Sequence, residues 1–175
     1  LQKANLYAFN LAKTNKSKYR RILLVRKDHI ESLEKIIADS RSWVVSIKSA
    51  GNILRGENNV YAFPEVILNK NITRKGEIIA SENISLSNSD SESIRKKIKL
   101  LLSSTLAEVK RRGSLSSELK VNATQINNLG RNLVDTKSGD IQIVAKSIEN
   151  TQSADKVSIS IELKYIDKVI EKDKQ

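Results

Sequence analysis

His29 and Glu31 spell H-x-E, the spacing with which zinc deaminases place a metal ligand and a general acid/base. That chemistry also needs cysteine ligands, and the chain has no cysteine, while His29 is its sole histidine. Thiol nucleophiles, Cys/His metal sites and His-paired dyads away from His29 are therefore excluded. His29 sits at an expected helix start, where the helix dipole disfavours an imidazolium. Carboxylates are the remaining route to an active site. Asp28 follows an apolar run, and Glu77, Glu82, Asp135 and Asp140 are the acids that could join it. No D-x-D or E-x-x-H spacing ties them together, and helix capping accounts for Asp28 and Glu31 without a metal. Gly51 and Gly56 share the glycine spacing of a phosphate loop, yet Glu57 and Asn58 stand where Lys and Ser/Thr are required. On this reading no catalytic, cofactor-binding or metal-ligating residue is assigned, and no cofactor is expected.

The net charge is +11, from 31 Lys and Arg against 20 Asp and Glu. A surplus of that size attracts nucleic acid or anionic lipid over long range. The runs Arg95-Lys-Lys-Ile-Lys99 and Lys110-Arg-Arg112 concentrate it. Both have plainer accounts. Lys96 lies away from the apolar stripe of its helix and Arg95 at the stripe's edge, where its stem covers apolar surface. The second run occupies a last helical turn and complements the dipole. Aromatic interleaving of the kind single-strand binders use is missing from these runs. A chain rich in Lys, Ile, Asn and Ser also carries basicity as compositional bias.

The elements that must position these groups follow from hydrophobic period and punctuation. A first helix, or the end of one, runs from Leu1 to about Ala12, and the polar stretch from Lys13 to Lys18 reads as a loop. Arg20 to Arg26 is a buried strand, followed by a helix to about Ala38 that is capped by Asp28 with Glu31 and buries Ile30, Leu33, Ile36 and Ile37. Trp43 to Ile47 is a second strand, and the strand–helix–strand order predicts that the two are parallel neighbours. Val60 to Leu68 is strand-like, with Pro64 predicting an edge or a bulge. Asn71 to Thr73 and Glu77 to Ile84 form an expected hairpin turning at Lys75-Gly76. A helix from about Asp90 to Arg112 carries the stripe Ile94, Ile98, Leu101, Leu102, Leu106 and Val109, with Ser89 or Asp90 as its cap and Gly113 as its stop. A shorter helix covers Thr124 to Val134 through Ile126, Leu129 and Leu133. Ile141 to Ala145 and Val157 to Leu163 alternate as half-covered strands.

Together these predict an α+β fold: one domain over 19–166, with a mixed, mainly antiparallel sheet of about five to seven strands and three or four packed helices. Residues 1–18 read as the end of an upstream helix or coiled coil plus a loop, and 167–175 as a charged tail. No run of about 18 apolar residues occurs, so no membrane span is expected in this segment. Because the chain opens at Leu1 without a methionine, it is expected to be a piece of a longer protein.

Two stretches, Arg21-Ile-Leu-Leu-Val25 and the segment from Ser42-Trp-Val-Val through Gly56-Glu57, resemble the C-terminal domain of a cyanobacterial family of unknown function. Asn69 to Ser81, with its Gly76-Glu-Ile-Ile, and the helix from Ile94 to Gly113 extend the resemblance over about Leu1 to Lys164. It departs at the closing turn, where the family tends to have Ala-Gly-Pro and this chain has Ser153-Ala-Asp-Lys156. The resemblance implies a membrane-anchored parent: N-terminal transmembrane segments, a long coiled coil, then this domain. It implies no catalytic residues. The leading expectation is a non-enzymatic interaction or scaffold domain with protein partners, and with homo-oligomers formed through the upstream coiled coil. Nucleic-acid binding through the basic surface is the alternative, and a metal-dependent, nuclease-like enzyme built on Asp28 the third.

Overall fold

The structure, a computed structural model, describes residues 2–12, 22–88, 90–136 and 139–165. The expected loop at 13–18, the charged tail from Asp167 and the alternative cap Ser89 lie outside them. Among the described residues, four helices and three sheets, two of them mixed and mostly antiparallel and one an antiparallel pair, make the fold α+β, as the periodicities predict. The strands divide among three sheets rather than one, and the chain divides into two compact units, 1–69 and 70–175. No Gly, Pro or Ser cluster marks that boundary in the sequence.

The first unit contains α1 (Gln2–Ala12), β1 (Leu23–Val25), α2 (Lys27–Ile37), β2 (Trp43–Ser49) and β3 (Val60–Leu68). Its sheet runs β1-β3-β2, with β1 parallel and β2 antiparallel to β3. The expected parallel pair of β1 and β2 is thus overturned. The crossover from β1 is completed by β3, which lies between them in register from Leu23↔Val60 to Val25↔Ala62. Pro64 is tolerated in this middle strand for a local reason. The Val60 N–H donates to Ile22 O, so even-numbered residues of β3 turn their backbone groups toward β1. Pairing with β1 ends at Ala62, so the missing N–H of Pro64 falls where β1 has stopped.

Ala8, Ala12, Ile22, Leu23, Val60 and Ala62 form the core of this unit. Small alanines let α1 approach closely, and Asn5 anchors it: the buried Asn5 Oδ1 accepts from the Ile22 and Leu23 N–H groups, both at 2.9 Å. Asp28 is no cap. The N-cap of α2 is Arg26, whose guanidinium has no acceptor for a helix N–H and instead donates to the Asp28 carboxylate at 3.0 and 2.6 Å. Glu31 pairs instead with Lys27 at 3.3 Å. The expected burial of α2 is also corrected. Ile30 and Leu33 are half-buried, whereas Ile36 and Ile37 are exposed.

The second unit contains β4 (Asn71–Thr73), β5 (Ile78–Ser85), a short 3-10 turn (Leu86–Asn88), α3 (Ser91–Arg111), β6 (Lys120–Val121), α4 (Ala123–Asp135), β7 (Asp140–Ser147), β8 (Thr151–Gln152) and β9 (Ser158–Tyr165). A four-stranded sheet, β5-β7-β9-β6, is accompanied by the pair β4-β8. The hairpin expected between 71–73 and 77–84 does not form. Both segments run along the same returning chain, β5 on β7 and β4 on β8. Gly76, at φ +83°, donates its N–H to Ser147 O, which puts a kink rather than a reversal between them. Helix α3 and the sheet enclose the main core, in which Ile94, Leu101, Val109, Ile141, Ile143, Val157 and Ile159 are at most 1% exposed. The Asp90 carboxylate caps α3 by accepting from the Ser93 N–H at 2.8 Å. Gly113, at φ +103°, ends it in the left-handed region glycine favours.

Candidate functional site

Two helices of the second unit, α3 and α4, build an open groove. Asn122 caps α4 by accepting from the Gln125 N–H at 3.2 Å, and Leu129 and Leu133 bury one of its faces. The adjoining face meets α3. Four-residue spacing gives each helix an apolar row: Ile94, Ile98 and Leu102 on α3, and Ile126, Gly130 and Val134 on α4. Beside each runs a polar row, Ser91-Arg95-Lys99 on α3 and Asn127-Arg131-Asp135 on α4. These twelve residues line a groove of about 820 Å³. Gly130 keeps it open. A Cβ there would lie 3.9 Å from Ile98 Cδ1, an ordinary contact distance, so packing against α3 does not require glycine. Val134 is 46% exposed, which leaves an apolar side chain facing solvent at one end.

Three cations stand against one carboxylate in this lining. Among the described residues no ion pair engages Arg95, Lys99 or Arg131. Elsewhere the basic runs are largely neutralised. Lys96 pairs with Glu92 at 2.9 Å and Lys97 with Glu82 at 3.7 Å. Arg111 and Arg112 both donate to Glu108 at 2.8 Å, and Arg112 reaches Glu77 at 2.5 Å and Ile72 O at 3.3 Å. Hydrogen bonds from Arg111 and then Arg112 hold the Glu108 carboxyl down to about 2. The Glu77 carboxyl is also lowered, first by the Arg74 N–H and then by Arg112. This network ties the end of α3 to the chain around β4 and β5, a structural task.

The acids weighed from the sequence are not drawn together. Among the described residues no group of three or more His, Asp or Glu side chains is placed to hold a metal ion. Asp28 is exposed and held by Arg26, whose hydrogen bonds lower its pKa. Glu77 and Glu82 belong to the ion pairs just described, and Asp135 lines the groove. Asp140 begins β7, paired with Ser85 of β5. His29 is half-buried in α2, and its buried Nδ1 has no hydrogen-bond partner among the described residues. It lines a smaller cavity of about 220 Å³ with Leu33, Ile36, Phe63 and Pro64. Gly56 spends its N–H on Ala12 O at 2.6 Å, so no phosphate cradle forms there.

The groove's α3 wall was partly visible in the sequence, as the stripe with Arg95 at its edge. Its α4 wall was not. Ile126 and Val134 read as ordinary members of a short amphipathic helix, and the signal that was present is the repeat of an apolar row beside a polar row in both helices.

No family model matches the chain, and no solved structure does. An uncharacterised protein of the cyanobacterium Nostoc sp. (strain PCC 7120), alr4393, is 33% identical over 84 residues. The match takes in 48% of this chain and 17% of that protein, so most of the relative's length lies beyond it. A partial relative of this kind accords with the resemblance to an uncharacterised cyanobacterial family. No helix among the described residues is long and apolar enough to cross a membrane.

Proposed function

We propose that this chain is a non-enzymatic interaction or scaffold domain, carried at the C-terminal end of a membrane-tethered coiled-coil protein. The groove between α3 and α4 supports the interaction reading. Exposed apolar surface is costly, and a contiguous apolar trough rimmed by polar groups is the usual mark of a binding surface. Here Ile126, Leu102 and Val134 line such a trough, with three cations that no described carboxylate neutralises. The tether and the coiled coil rest on the family resemblance and on a relative far longer than the matched stretch.

Site-specific photocrosslinking tests the interaction reading. A photoreactive residue replaces Asn127, an exposed position on the groove's polar row, in the parent protein within its own cells. A discrete protein adduct, absent when the same residue replaces exposed Lys3 of α1, is expected. Equal adducts at both positions, or none at either, would contradict the reading.

A further inference from the structure

The groove's dimensions and charges specify its occupant more closely, on the footing that this chain is an interaction domain. We infer that it docks an acidic amphipathic helix of about three turns, supplied by a partner protein. Three observations carry this. The α3 wall runs from Ser91 to Leu102, which at 1.5 Å per residue is a trough of about 16 Å, the length of some eleven helical residues. Its apolar floor is narrow: Ile94 and Ile98 are taken up by the core, so Leu102 on one wall and Ile126 and Val134 on the other present the apolar surface, a strip matching the stripe of one further helix. The cations are spread rather than focused. Arg95 and Lys99 stand one turn apart on one wall, and Arg131 stands on the other. Several carboxylates flanking an apolar stripe meet that arrangement as flanking charges do beside a coiled-coil seam. A single anionic headgroup engages such separated cations less completely. A small ligand site also encloses most of its ligand, whereas Val134 is 46% exposed. An open trough suits an occupant that keeps its outer face in water.

The test uses the full chain with synthetic 18-residue helical peptides. One has Leu in the four-residue series with Glu on both flanks; its twin replaces every Glu with Lys. Amide NMR shifts locate binding and calorimetry measures it. The Glu peptide is expected to move amides within 94–102 and 126–135, and the Lys twin to move neither set. Replacing Arg95, Lys99 and Arg131 together by Glu should weaken the Glu peptide by at least about tenfold, the scale on which rim charges and like-charge contacts set specificity. Gly130→Trp, which fills the groove, should remove binding while the circular dichroism spectrum remains that of the parent. The charge triple serves independently should the Trp variant fail to fold. Equal binding of the twins, shifts confined to other segments, or an unaltered affinity in the charge triple would overturn the inference. So would decanoate moving the groove amides when the Glu peptide does not, which would assign the trough to small anionic amphiphiles. A crosslinked partner that persists in Gly130→Trp would leave the interaction reading standing and remove only the groove as its site.

Discussion

Asn5→Ala is the substitution whose cost the structure defines most sharply. Asn5 is 8% exposed, and its Oδ1 is the acceptor for two adjacent backbone donors, Ile22 N–H and Leu23 N–H, each at 2.9 Å. Those residues are themselves 2% and 4% exposed, so water does not readily replace the amide. A buried donor left without a partner costs about 1–3 kcal/mol. Two neighbouring donors relax together, which brings the sum to about 2–4 kcal/mol. Alanine returns roughly 0.5 kcal/mol of helix propensity in α1, so the net loss is about 1.5–3.5 kcal/mol. Trp43, the sole tryptophan, lies in the same unit, half-buried, with its indole N–H donating to Asp39 at 2.8 Å and the Arg41 guanidinium 4.6 Å from its ring. Its fluorescence in a urea titration therefore reports the unfolding of that unit. Asn10→Ala, at an exposed position of the same helix, is the control and should be neutral or slightly stabilising. Asn5→Asp keeps an acceptor for both donors and should fall between. An Asn5→Ala midpoint within about 0.5 kcal/mol of the parent, the range of ordinary surface changes, would refute the argument that Asn5 pins α1 to β1.

Other outcomes follow from the second unit. Leu101 is 0% exposed, so Leu101→Ala should cost about 2–5 kcal/mol in chemical denaturation. Leu102 has the same helical period but is half-buried in the groove, so Leu102→Ala should cost distinctly less; equal losses would mean the two faces are misassigned. Gly130→Ala should stabilise the protein by about 0.5–1 kcal/mol and so raise its thermal midpoint, since its Cβ meets only Ile98 Cδ1 at 3.9 Å and interior helical glycine is costly; a lower midpoint would show a hidden clash. Glu108 is lowered from 4.5 to about 2, so its stabilisation is complete above about pH 4.5 and is lost as pH falls toward 2. Glu108→Gln should therefore flatten the acid limb of a stability–pH curve over that window, and an unchanged limb would show that the Arg111 and Arg112 contacts contribute nothing in solution.

The elements were legible where one residue series satisfied several demands at once. Helix α3 has a capping Asp90, a stripe ending at Val109 and a terminal Gly113, and each cue points to the same boundaries. Strands β7 and β9 were legible from their alternation of apolar and polar residues, although Val144 of β7 and Ser158 of β9 are buried out of phase with it. Misreadings arose where another partner outweighed the expected one. Asp28 is a residue type that caps helices, but α2 starts one residue before it and the neighbouring Arg26 takes its carboxylate. β1 and β2 have the order of a crossover, but β3 contributes the backbone partner for both. Lys75-Gly76 has hairpin composition, but Ser147 draws the Gly76 N–H into a longer antiparallel pairing. The groove was illegible for a related reason. Ile94 and Ile98 read as core residues and are buried as such, and only the placement of α4 reveals that Leu102, one turn further along, borders an open groove beside Lys99.

The most direct measurement is a charge-exchange binding experiment by calorimetry at low and moderate salt. It pairs the Arg95→Glu, Lys99→Glu, Arg131→Glu variant with the lysine-flanked peptide. Reversed charges on both sides should restore an affinity close to that of the parent protein for the glutamate-flanked peptide, and added salt should weaken both pairs alike. No recovery in the exchanged pair, with the variant folded, would contradict the account of the α3–α4 groove as a basic cradle for an acidic helix.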